Sequence, residues 1–350
     1  MGVVASKWRK VLAGSCASAL LLGLGVFGAG ASAATGARQH EGRVAAKQLG
    51  IDVTFYYKNE SATTLQAQML KTLRYAKTLK ANSIAITFAF YISGPTADAV
   101  TTGNGTPSPS QIGYFVDLAR AQHFFVLLRP VVNEVNPLEP WRGAIEPANR
   151  SAWFASYDAV LAPYLVAAQK AGANEIAISC ELRSLGGDSH WKSTVVPFVK
   201  ARFHGLQMMD VSWAPTGMDP VAGTTFGIDA YHPLIMPDTA TVAQLVKGWD
   251  SWLKRQELPL PTDKIYITEV GIAAQSKAYT YPQKSDWGTP IVPSIQTNWF
   301  DAACTFFKTN KFLGIYFFAT NLLEGPQTQA TGGYPSDFQG STNLAISKCF

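Results

Sequence analysis

Histidine is scarce in this chain: five residues in 350, at His40, His123, His190, His204 and His232, with no pair at metal-ligand spacing. A metal hydrolase would need clustered ligands, so no metal and no cofactor is expected. No Gly-x-Ser-x-Gly elbow occurs, which removes a serine nucleophile of that kind. No Ser/Gly- or Pro-rich stretch divides the chain, and no element gathers the Lys and Arg that a nucleic acid would require. Cysteine is limited to four residues, Cys16, Cys180, Cys304 and Cys349.

At the amino terminus Lys7, Arg9 and Lys10 precede an apolar stretch from Val11 to Val26 and a small-residue site at Ala31-Ser32-Ala33. That is the pattern of a cleaved secretory signal over residues 1–33. A retained anchor is the alternative, but the segment is barely long enough to span a bilayer. Cleavage removes three of the 29 basic residues and none of the 24 acidic ones, so the net charge falls from +5 to +2. The protein is therefore expected outside the cytoplasm, secreted or periplasmic, with no stable membrane association. There Cys304 and Cys349 could pair, leaving Cys180 as a buried thiol, although sequence does not fix the connectivity. Residues 34–48 read as a polar lead-in, and 49–350 as one domain. About 310 residues are enough for a full core.

From Gly50 onward, short β-rich runs alternate with longer amphipathic ones. Strands are expected at Gly50 to Tyr57, Ser83 to Phe90, Phe124 to Pro130, Glu175 to Cys180, Met208 to Trp213, Thr225 to Ala230, Lys264 to Thr268 and Leu313 to Phe318. The first helix, about Thr63 to Lys80, takes Ser61 as its N-cap and places Leu65, Met69, Leu73, Ala76 and Leu79 on one stripe. A helix is expected from His190 to Phe203. Glycines and prolines crowd the link between strands five and six, so the fifth helix is expected to be truncated or absent. Eight strand–helix units argue for α/β architecture closed as a (β/α)8 TIM barrel in a single domain. A doubly wound sheet would also alternate, but its phosphate-binding glycine fingerprint is missing after strand one.

Two carboxylates stand at strand ends: Glu181 after strand four and Glu269 at strand seven. Barrel enzymes gather catalytic groups at the carboxyl ends of their strands, and glycosidic bond cleavage with retention needs one carboxyl as acid and a second as nucleophile. Either Glu alone would more often be a salt-bridged strand end. Tyr231 could hold a carboxylate ionised and oriented, or be a rim aromatic. His232 could bond a sugar hydroxyl, modulate Glu181 or be structural, and Arg129 could sit beside Glu269 and lower its pKa, grip a hydroxyl, or pair with another acid. Sugar rings stack on aromatics, so Trp141, Trp191, Trp213 and Trp287, after strands three, four, five and seven, are candidate subsite walls, with Tyr56, Tyr57 and Tyr91 at the ends of strands one and two. Trp153, Trp249 and Trp252 fall on predicted helices and read as packing residues.

Four motifs carry a family resemblance: Arg129-Pro130, Ile178-Ser-Cys-Glu-Leu182, Gly227-Ile-Asp-Ala-Tyr-His-Pro233 and Ile267-Thr-Glu-Val-Gly271. On these the chain resembles the retaining glycoside hydrolases of clan A, and within them is most similar to glycoside hydrolase family 113, the β-mannanase-like barrels. The resemblance implies Glu181 as acid/base, Glu269 as nucleophile and a β-linked poly- or oligosaccharide as substrate, with β-mannan favoured. Two departures stand out. Most clan members have Asn before the acid/base, bonding the sugar 2-hydroxyl, where this chain has Cys180, a weak donor. Strand eight usually ends in a Trp under the central sugar, whereas here the run is Gly314-Ile-Tyr-Phe-Phe-Ala-Thr320. The alternatives are a non-catalytic carbohydrate-binding barrel, or a hydrolase of β-glucan or exopolysaccharide. A monomer is expected.

Overall fold

The computed structural model describes residues 47–135, 141–214, 220–256, 258–284, 288–326, 337 and 340–350. The expected leader, nearly all of the lead-in and Trp287 lie outside the described residues. Eight strands form a closed parallel barrel in chain order. They are β1 (Gln48–Thr54), β2 (Ser83–Ile92), β3 (Phe125–Glu134), β4 (Glu175–Cys180), β5 (Leu206–Ser212), β6 (Thr225–Asp229), β7 (Ile265–Val270) and β8 (Gly314–Asn321). The helices are α1 (Ala62–Thr78), α2 (Pro109–Ala121), α3 (Arg150–Ala171), α4 (Val196–Lys200), α5 (Val242–Arg255), α6 (Pro293–Asn310) and α7 (Asn343–Cys349). The (β/α)8 barrel read from the sequence is the fold.

Local chemistry accounts for the helix starts. Ser61 Oγ accepts from Thr64 N at 3.1 Å and begins α1, while Ser108 with Gln111 and Thr241 with Gln244 form capping boxes on α2 and α5. The predicted stripe of α1 is buried from Leu65 to Leu79. No helix occurs between β5 and β6 among the described residues, and 215–219 fall outside them. The helix expected over His190 to Phe203 is instead a π-turn at Trp191–Val195 followed by the short α4. Pro197 removes the N–H that a continuous helix would bond four residues back. Cys304 of α6 is disulfide-bonded to Cys349 of α7, and Cys180 is a free buried thiol. Among the described residues no helix is long and apolar enough to cross a membrane.

Side chains alternate between the barrel interior and the helical layer. Outward positions such as Ile84, Ile86, Phe88 and Phe90 join the main core beneath the helices. The interior is layered. At the amino-terminal end Ala85, Leu127, Ala177, Met208, Tyr266 and Tyr316 pack together. Two residues further along β2 and β3 the chain places Thr87 and Arg129, and two beyond those Ala89 and Val131, which pack with Cys180. A buried polar layer thus lies between two apolar ones, directly beneath the strand ends.

Candidate active site

Glu181 and Glu269 line one pocket of about 510 Å3 at the carboxyl ends of the strands, with Trp141, Arg142, Arg183, Trp213, Tyr231, Gln283 and Phe318 among its walls. Glu269 is held on both oxygens. Oε1 accepts from Arg129 Nη1, and Oε2 accepts from the Tyr231 hydroxyl at 2.6 Å. Gly271 makes that second bond possible, because a Cβ there would lie 3.1 Å from the Tyr231 oxygen and 2.9 Å from Phe318 O. Burial, and then the charge of Glu269, push the Tyr231 phenol well above its usual range, so it stays a donor.

Glu181 follows the last residue of β4 with φ at +54°, a left-handed conformation uncommon for a residue with a side chain. Its N–H is fixed by Asp210 O at 3.0 Å. Its Oε2 accepts from Arg142 Nη1 at 2.9 Å and from Trp141 Nε1 at 3.2 Å. Arg142 is itself anchored on Asn133 Oδ1 at 2.8 Å. Burial raises the proton affinity of Glu181 and Arg142 only partly offsets it, so the carboxyl titrates above the ordinary range. One acid is therefore gripped by a cation and a phenol, while the other favours its proton more than a solvated glutamate does.

Arg129 has no exposure and is the hub of the polar layer. Its Nη1 reaches Asp52 Oδ2 at 2.8 Å as well as Glu269; its Nη2 reaches Asp210 Oδ2 at 2.5 Å and both oxygens of Asp229 at 2.9 Å. Burial opposes the charge, but the surrounding acids outweigh it and hold the guanidinium protonated. Cys180, Asp210 and Asp229 bring one ligand atom each within 4.8 Å of one another. That space is taken by Arg129 Nη2, 3.4 Å from Cys180 Sγ, so the protein's own cation occupies the centre.

Of the aromatic walls expected from the sequence, Trp141 and Trp213 line the pocket, with Trp141 45 % exposed. Trp191 does not: it is fully buried, bonds Leu185 O at 2.7 Å and packs on Phe154 and Tyr157, because the π-turn carries it back against α3. His232 does not line the pocket either. It lies 1 % exposed among Trp249, Trp252 and Trp299, neither ring nitrogen has a hydrogen-bond partner, and burial holds its pKa down at about 3. Tyr57 turns into a separate pocket between α1 and α2, beside Leu65, Met69, Gln111 and Tyr114. Its neighbour Tyr56 takes the site-facing position, within the field of Arg142 and Glu269. Cys180 and Arg129 lie beneath the pocket rather than in its wall. Sequence reasoning missed Arg142, Arg183 and Phe318 in the wall, and Asp52, Asp210 and Asp229 below it. Single acids inside otherwise apolar strands were the available signal for the last three.

The sequence profile of glycoside hydrolase family 113 matches residues 53–321. A structure of a family 113 β-1,4-mannanase complex shares 16 % identity at a TM-score of 0.70, covering 87 % of this chain and 98 % of that one. The family 113 β-mannanase of Alicyclobacillus acidocaldarius shares 18 % identity at a TM-score of 0.68, covering 87 % and 96 %. A family 5 mannosidase from Rhizomucor miehei follows at 10 % identity and a TM-score of 0.51, covering 87 % and 92 %. At these identities the structural likeness concerns the fold. No curated protein matches the chain.

Proposed function

The chain belongs to glycoside hydrolase family 113, and from that premise we propose that it cleaves β-linked mannan-type poly- or oligosaccharide by double displacement. The observation that carries this reading is the contrast between two glutamates facing one pocket. Glu269 is bonded by Arg129 and Tyr231, and Glu181 is held by Arg142 and Trp141 with its proton affinity raised. The raised proton affinity of Glu181 supports the acid's part for it, and the two donors that orient Glu269 support the nucleophile's part.

In the first step Glu269 attacks the anomeric carbon while Glu181 gives its proton to the departing glycosidic oxygen, leaving a glycosyl ester on Glu269. Glu181, now a carboxylate, takes a proton from water, whose oxygen displaces Glu269 and restores both groups. Arg129 and Tyr231 hold Glu269 in one orientation, which counts for both attack and departure. Trp141 and Trp213 offer apolar faces on which pyranose rings stack. Phe318 occupies the β8 end of the wall, where the clan resemblance led one to expect a Trp. Membership of family 113, which the sequence motifs likened to β-mannanase-like barrels, favours mannan over other β-linked chains. The leader-like first 33 residues and the Cys304–Cys349 bridge support work in an oxidising compartment outside the cytoplasm.

The test is hydrolysis of β-linked manno-, gluco- and xylo-oligosaccharides by the wild type beside Glu269→Ala, with products resolved by size. Release from the manno series by the wild type alone is expected. Release only from another series would replace the substrate, and equal release by both proteins would remove Glu269 from the chemistry.

A further inference from the structure

One guanidinium beneath the pocket serves four acids. Arg129 of β3 meets Asp52 of β1, Asp210 of β5, Asp229 of β6 and Glu269 of β7. Thr87 of β2 donates to Asp52 Oδ2 at 2.8 Å, Thr268 of β7 donates to Asp210 Oδ1 at 2.6 Å, and the Cys180 thiol of β4 completes the ring. Below Asp52 stands the Tyr316 phenol of β8, bonded to Gln48 Oε1 at 2.5 Å, and above Glu269 stands Tyr231. With every acid ionised, one cation against four anions would leave a net charge of three negative in a group whose members are almost wholly buried. Such a charge is not sustained away from water, so protons remain bound within the cluster.

The acids differ in how they are held. Both oxygens of Asp210 and of Asp229 have partners. Asp52 has partners on Oδ2 alone, and its Oδ1 is buried without one. Asp52 also shares a nitrogen with Glu269, since Arg129 Nη1 donates to both. Burial, with the charge of Glu269 adding and that of Arg129 opposing, pushes Asp52 up to about 7, and burial raises Asp210 and Asp229 as well.

We propose that Asp52 is a positioning residue for Glu269. As the neutral acid it leaves Arg129 Nη1 to the Glu269 carboxylate, and on releasing its proton to solvent it takes a share of that cation. Glu269 then becomes more basic and a stronger nucleophile, and the added negative charge favours the cationic transition state. The inference rests on the reading of Glu269 as nucleophile, but the coupling between the two acids can be measured without turnover.

The first measurement is the unfolding constant of the wild type divided by that of Asp52→Asn, followed with pH in denaturant titrations. The native protein keeps on Asp52 a proton that the unfolded chain gives up, so the ratio rises by nearly tenfold per pH unit between about pH 4.5 and 6.5, then levels off. Repeated on a Glu269→Gln background, the levelling-off moves to lower pH, because the charge that raised Asp52 is gone. The rate arm uses dinitrophenyl β-mannobioside, whose leaving group needs no proton from Glu181. Its kcat/KM rises severalfold through neutrality in the wild type and stays flat in Asp52→Asn. Thr87→Val, which removes a donor to the Asp52 carboxylate, moves the wild-type transition upward and serves where Asp52→Asn does not fold. A ratio independent of pH, a transition unmoved by Glu269→Gln, or the same rise in rate without Asp52 would each overturn the proposal. Absence of turnover by the wild type would count against the mannan reading, with the two stability measurements still deciding the coupling.

Discussion

Replacing Arg142 by Gln should raise the proton affinity of Glu181 and carry the alkaline limb of activity with it. The pair is close, with Arg142 Nη1 2.9 Å from Glu181 Oε2, and largely shielded, with side chains 20 % and 12 % exposed. Two unit charges about 4 Å apart at an effective dielectric constant of about 20 interact by about 4 kcal/mol. Residual solvent access reduces this, and an opposite charge at such range moves a carboxyl by about 1–3 pH units. Because burial already raises Glu181 and Arg142 is the main opposing influence, its loss should move the limb upward by about 1–2 pH units. The assay is kcat/KM against pH for an unactivated oligosaccharide, with an activated aryl glycoside as control. Glu181 acts as acid only while protonated, so the variant keeps activity at alkaline pH where the wild type loses it; the control, needing no proton, shows no such displacement. A limb that stays in place or moves downward would refute the assignment of that limb to Glu181 under the control of Arg142.

Tyr231→Phe removes the 2.6 Å bond that orients Glu269 Oε2; a bond to a charged group is worth about 1.5–3 kcal/mol, so kcat should fall about 10- to 100-fold in steady-state kinetics. His232 is neutral in the fold, with its pKa lowered from 6.5 to about 3. Below pH 6.5 the unfolded chain takes up a proton that the native chain refuses, so stability falls as pH drops from 6.5 toward 3. His232→Phe should flatten that acid slope while keeping the ring packed on Trp252, as chemical denaturation at pH 4 and pH 7 would show. Cys349→Ser opens a loop with a sequence separation of 45, and the chain-entropy relation gives a loss of about 4 kcal/mol, read as a lower denaturation midpoint.

The barrel was legible because parallel strands covered on both faces read as short apolar runs at regular intervals. Both glutamates were legible because strand-end position is a one-dimensional property in such a fold. The direction of a loop side chain is not. Trp191 and Trp141 each follow a strand, yet a π-turn sends the first into α3 while the 3-10 turn at Arg142–Ala144 presents the second to the pocket. Tyr56 and Tyr57 are adjacent, and only one of them can face the barrel axis. His232 follows a site residue but turns outward into a cluster of tryptophans from α5 and α6. The acids around Arg129 come from β1, β5, β6 and β7 and meet only when the barrel closes, so no local pattern unites them.

The most direct test of two glutamates working by double displacement is the configuration of the first-formed product, followed by proton nuclear magnetic resonance during hydrolysis of a manno-oligosaccharide. The account predicts that the β-anomer appears first and mutarotates to equilibrium afterward, and that Glu269→Ala forms neither anomer at a comparable rate. Appearance of the α-anomer first would mean a single inverting displacement, and would contradict a covalent role for Glu269.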